Sequence, residues 1–93
     1  MARAQTRGET DDLSACLAGA EAGRPDALYR LGLCYSSGHG VPLDYIEAHK
    51  WLNIAAVRGS DDAKRLRREL AADMTREQIA EAQRQAREWI GQH

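Results

Sequence analysis

A chain of 93 residues is the size of one small domain, and with 43% apolar residues and no Phe its core is thin, leaving little room for an enclosed active site. The charged fraction is 29% and the net charge −1, so no overall field draws the chain onto nucleic acid or an anionic membrane. No apolar run approaches the roughly 20 residues of a membrane helix. Residues 1–12 also lack the apolar stretch of a secretory signal, so the cytoplasm is the expected compartment.

Residues 1–9 mix charged and small polar side chains without a period, which predicts a frayed tail. Five helices are expected after it. The first starts near Thr10, an N-cap, with Asp11 and Asp12 in the first turn, where the helix dipole favours acid. Leu13, Cys16, Leu17 and Ala20 form its apolar stripe, and Gly23 ends it. The second helix opens on Pro25, where a missing N–H costs nothing, and stops at Gly38. Its buried side is marked by Ala27, Leu28, Leu31, Cys34 and Tyr35. Gly32, inside it, predicts a close approach by a neighbouring helix. Gly38-His39-Gly40-Val41-Pro42 reads as a loop.

Asp44 and Glu47 give the third helix a start like a capping box. Ala48, Trp51, Leu52, Ala55 and Ala56 line one of its faces, and Ile46, Ile54 and Val57 part of another. A helix apolar on more than one side lies between neighbours, so stacked layers are expected. Gly59 closes it. Ser60 caps the fourth helix, whose stripe is Ala63, Leu66 and Leu70. Thr75 and Gln78 form a capping box for the fifth, with Met74 and Ile79 at the staple positions and Ile79, Ala82, Ala86, Trp89 and Ile90 at helical spacing. No segment alternates with a period of two, so no strand is expected.

A shift of 36 residues lays Ala20-Glu21-Ala22-Gly23-Arg24-Pro25-Asp26-Ala27 over Ala56-Val57-Arg58-Gly59-Ser60-Asp61-Asp62-Ala63. The shared Ala, Gly, Asp and Ala suit a helix-turn-helix corner, and self-similarity at a fixed period marks a solenoid. The run Ala27-x-x-x-Leu31-Gly32-x-x-Tyr35-x-x-Gly38-x-Gly40-Val41-x-x-Asp44-x-x-x-Ala48-x-x-Trp51-x-x-x-Ala55-Ala56-x-x-Gly59 resembles a Sel1-like repeat. The resemblance implies an all-α solenoid of antiparallel helix pairs, similar to tetratricopeptide repeats. It covers residues 23–60 as a full unit. Residues 10–22 resemble the second helix of a preceding partial unit. Residues 61–91 look like a divergent capping hairpin, in which Ala71-Ala72-Asp73-Met74-Thr75 replaces the Gly-x-Gly-Val loop. The chain also looks like small stand-alone bacterial members of this family. A secreted, cysteine-rich branch is associated with β-lactam binding. Its cysteine pair in each repeat is absent here, so that activity is not carried over.

Little chemistry is expected. Cys16, Cys34, His39, His49 and His93 have no paired spacing for zinc, and His49 is expected on a polar helix face. The cysteines read as buried thiols, although their similar distances from the turn near Gly23 leave a disulfide between adjacent helices open. Cys34 lies on an apolar stripe, and Gly38-His39-Gly40 follows no strand, so neither a nucleophile nor a nucleotide cradle is expected. No cofactor, metal or enzymatic activity is predicted. Trp51, Trp89 and Tyr35 read as packing residues, and Tyr29 as undecided. The basic run Lys64, Arg65, Arg67, Arg68 reads as a solvated face paired with Asp61, Asp62 and Glu69. Its alternative is an anchor for an acidic or phosphate-bearing ligand. No aromatic side chains interleave with it, so base stacking is not expected.

By resemblance, the second and fourth helices line a concave face that holds a protein or peptide partner. Its expected contact residues are Arg30, Leu33 and Ser37 from the second helix and Arg65 and Arg68 from the fourth. Arginine beside an apolar residue suits a peptide bearing a carboxylate. Self-association through apolar solenoid ends is the alternative.

Overall fold

The computed structural model describes residues 13–93. They form α1 (residues 13–21), α2 (Pro25–Ser37), α3 (Tyr45–Val57), α4 (Asp61–Ala71) and α5 (Arg76–Gln92), with no strand among the described residues. The architecture is all-α, an antiparallel helix-pair solenoid. The expected tail at 1–9 and the cap and first turn at Thr10, Asp11 and Asp12 lie outside the described residues.

Local chemistry sets the helix ends. Pro25 occupies the first turn of α2, and Gly38 closes it in the left-handed conformation at φ +71°, its N–H donating to the Cys34 carbonyl. The Asp44 carboxylate accepts from the Glu47 N–H at 3.1 Å, while the Glu47 side chain turns instead to Lys50 at 3.4 Å, so only half of a capping box forms. Ser60 Oγ accepts from the Ala63 N–H at 3.1 Å. At α5 the box is complete: Thr75 Oγ1 accepts from the Gln78 N–H at 3.1 Å, and the Thr75 N–H donates to Gln78 Oε1 at 2.9 Å. Each such cap contributes about 1 kcal/mol.

The core is centred on α3. Helices α2, α4 and α5 all pack on it, whereas α4 and α5 barely touch each other. Leu28, Leu31, Leu52 and Ile54 are the largest fully buried side chains, and Ala48, Ala55, Ala63, Ala82 and Ala86 fill the crossings between them. At Gly32 an added Cβ would lie 2.6 Å from Leu52 Cγ, so the expected close approach is the insertion of Leu52 of α3 against the α2 backbone. Trp51 and Trp89 meet edge to face, with ring centroids 5.9 Å apart at 78°. Such a pair adds about 0.5–1.5 kcal/mol beyond the area it buries. Tyr29 and Tyr35 are half-buried against the core. His93 stacks on Trp89 and meets two acceptors, the Glu21 carboxylate at 3.0 Å and the Trp89 carbonyl at 2.9 Å. Both favour the imidazolium, Glu21 the more, and raise the His93 pKa.

Three side chains depart from expectation. His49 is 3% exposed rather than on a polar face, because α4 covers that side of α3 and brings Arg67 near. Leu17 is 46% exposed, since no described residue packs over its side of α1. Val57, at 63%, ends α3 and points away from the neighbouring helices. The third helix also ends at Val57, with Arg58 as its cap, and Gly59 makes the turn that follows at φ +106°.

Replacing Gly32 with alanine tests the central contact. Helix propensity favours alanine by about 1 kcal/mol, but overpacking costs about 1–3. Net destabilisation of about 1 kcal/mol is expected for Gly32→Ala by chemical denaturation. Leu52→Ala should lose about 2–5 kcal/mol. The double variant should lose clearly less than the sum, because removing Leu52 frees the space that the new methyl needs.

Burial, and secondarily Arg67, lower the His49 pKa below its ordinary 6.5. The unfolded chain therefore takes up a proton near pH 6.5 while the folded chain resists it, so this stability contribution is lost as the pH falls below 6.5. The His49 ring should titrate by NMR below pH 6.5. His49→Leu should flatten the loss of stability between pH 7 and 5 relative to the parent chain.

Candidate functional site

The turn at Gly23 (φ +77°) joins α1 to α2. Its backbone bonds run from Gly23 N–H to the Ala20 carbonyl and from Arg24 N–H to the Gly19 carbonyl. A Cβ at Gly19 would meet that of Ala27 at 2.5 Å, so α1 and α2 cross here in backbone contact. Away from the crossing, the helices leave an open cleft of about 240 Å³. Leu13 and Cys16 of α1 and Leu33 and Cys34 of α2 form its apolar walls, Arg30 stands at its rim, and His39 and Gly40 close its far end. A second cleft of about 190 Å³, lined by Gly19, Arg24, Asp26 and Ala27 among others, shares Cys16 and Arg30 with the first. The two form one groove along the α1–α2 seam.

The rim is cationic. Among the described residues, Arg24 and Arg30 have no ion-pair partner and Asp26 is the single acid lining either cleft. Cys16 and Cys34 are free thiols. Burial, and secondarily the nearby Cys16, push the Cys34 thiol above its ordinary range, which makes it a poor nucleophile near neutral pH.

The five expected contact residues do not converge on this groove. Arg30 and Leu33 line it, and Leu33 is 37% exposed. Ser37 is exposed, and its hydroxyl donates back to the Leu33 carbonyl at 2.9 Å. Arg65 and Arg68 lie exposed on α4, away from the cleft, and Arg65 pairs with Asp62. Lys64 pairs with Asp61 at 3.6 Å, and Arg67 donates to Asn53 Oδ1 at 2.5 Å. The basic run is thus largely engaged by its own surroundings. Composition and spacing assigned Cys16 and Cys34 to packing and His39 to a turn, and so missed them as groove residues. The signal was in the repeat: a shift of 36 maps Leu13, Cys16 and Cys34 onto His49, Leu52 and Leu70, all buried under neighbouring helices.

Among the described residues, no group of His, Cys, Asp and Glu could hold a metal ion, and no helix is long and apolar enough to cross a membrane. The Sel1 repeat family model matches residues 25–60, which are α2, α3 and the loops around them. No curated protein and no solved structure matches the chain.

The Cys34 thiol should be sluggish. Cys34 is expected to react with iodoacetamide at pH 7.5 more slowly than free cysteine, its rate still rising above pH 9, as followed by mass spectrometry of the intact chain.

Proposed function

We propose that this chain, a Sel1-repeat protein, is a non-enzymatic adaptor that holds a protein or peptide partner on its short helical surface. Sel1 repeats mediate protein–protein interaction, and the repeat fills the centre of this chain. The observation that carries the reading is the juxtaposition of Arg30 and Leu33 at an open apolar cleft, with neither Arg24 nor Arg30 ion-paired among the described residues. A guanidinium beside an apolar wall suits a segment that carries a carboxylate next to an aliphatic or aromatic side chain. Ser37, Arg65 and Arg68 extend the reading along the exposed sides of α2 and α4. The pairing of Lys64, Arg65 and Arg67 within the chain argues against a phosphate-binding regulator as the main role. The cytoplasm remains the proposed compartment.

Exchanging Arg30 and Arg65 for glutamate reverses charge at both ends of the proposed surface while leaving the core intact. Recovery of partners from the native lysate should drop severalfold with the double variant, with helicity unchanged by circular dichroism. Undiminished recovery of every partner would remove this surface from the proposal.

A further inference from the structure

The corner α1–Gly23–α2 is repeated within the chain as α3–Gly59–α4. Helices α1 and α3 end 36 residues apart, and α2 and α4 start 36 apart. Both glycines have positive φ. The turn bonds Gly23 N–H to Ala20 and Arg24 N–H to Gly19 recur as Gly59 N–H to Ala56 and Ser60 N–H to Ala55. In the second corner, α2 packs on α3 and also touches α4, and the Gly32 backbone lies against Leu52. Under the same shift, Leu52 becomes Cys16 and Leu70 becomes Cys34. The groove is therefore the place where, one repeat further on, α2 sits. No described residue fills it.

We infer that the groove between α1 and α2 accepts an amphipathic helix from a partner protein, docked as α2 docks on α3 and α4, with carboxylates facing Arg30 and Arg24. The inference rests on the protein-binding reading and names the class of partner. Two differences between the corners define the guest. Cys16 is shorter than Leu52, so where α2 needs glycine the incoming helix has room for a side chain. Arg30 stands where Leu66 packs against the core, and covering an unpaired guanidinium is costly unless an acid accompanies it. A second copy supplies neither feature. Two grooves face to face would oppose their own cations, and none of the exposed large apolar side chains among the described residues, Leu17, Leu33, Leu43 and Val57, lies on α4 or α5.

The test uses the full chain and a fluorescein-labelled synthetic copy of α2, residues 24–38, carrying Arg24→Glu, Arg30→Glu, Gly32→Ala and Cys34→Ser. Anisotropy should report saturable binding, and amide shifts should gather at Leu13, Cys16, Leu33 and Gly40. Leu33→Glu in the protein should abolish binding with helicity intact. Arg30→Glu should weaken it about tenfold, the effect of one charge-assisted contact, and a peptide retaining its two arginines should recover the loss. Four results would overturn the inference. They are absence of saturable binding, shifts confined to α4 around Arg65, a concentration-dependent dimer broken by Leu33→Glu, and contacts in the free protein between residues 1–12 and Leu33. Shifts around Arg65 would leave the broader protein-binding reading standing while removing the groove.

Discussion

The fold depends on one close approach, the burial of Leu52 against the bare backbone at Gly32. It brings α2 near enough to α3 for alanines to fill the space that a thicker core would give to Phe or Leu. The consequence runs through the whole molecule. Among the described residues, five of the fully buried core positions are alanine, and four fully buried side chains are larger. Dispersion across short interhelical distances then does what bulk burial does in bigger domains. Helix α3 is the shared partner, because α2, α4 and α5 each reach it while α4 and α5 barely meet. A perturbation of α3 is therefore felt by α2, α4 and α5. One confined to the outer face of α4 or α5 is not.

Much of this was legible before any coordinates. The helix ends were written in Pro25, Gly38, Asp44, Ser60 and Thr75, since caps act through hydrogen bonds within a few residues. The place of α3 between layers followed from its two apolar sides, and the role of Gly32 from its helix propensity. The failures share a cause. His49 looks like a surface residue in a local pattern, and becomes a core residue only because α4 crosses over it. Leu17 looks like a core residue, and is exposed because no described residue covers its side of α1. Periodicity tells which residues share a face, not whether a neighbour arrives. The groove was hidden for the same reason: Cys16 and Cys34 occupy packing positions of the repeat, and the pattern is the same whether a helix covers them or not.

Two parts of the surface are finished differently. Where the C-termini of α1, α3 and α5 meet, His93 stacks on Trp89 and bonds Glu21. Arg58 stands over the Trp89 ring, with its guanidinium against Gly23. The cationic groups Arg58 and His93 there stand at the C-terminal ends of α3 and α5, where the helix dipoles favour them, and Glu21 at the end of α1 accepts from His93. They tie the three helices together, with Val57 left exposed at the end of α3. Along the α1–α2 seam, by contrast, Leu13, Cys16, Leu33 and Cys34 surround an open cleft.

This asymmetry bears on what the chain can hold. A solenoid with two apolar ends would stack on itself, because each end would complement the other. Here, among the described residues, no exposed large apolar side chain lies on α4 or α5, so the groove lacks such a counterpart and a single added layer is favoured over stacking. The cations at the rim sharpen the choice further, since apolar area alone would accept almost any amphipathic helix. Arg24 and Arg30 make an unpaired guest costly and an acidic one favourable, so the groove discriminates by the penalty it imposes on helices without carboxylates as much as by its contacts with those that carry them.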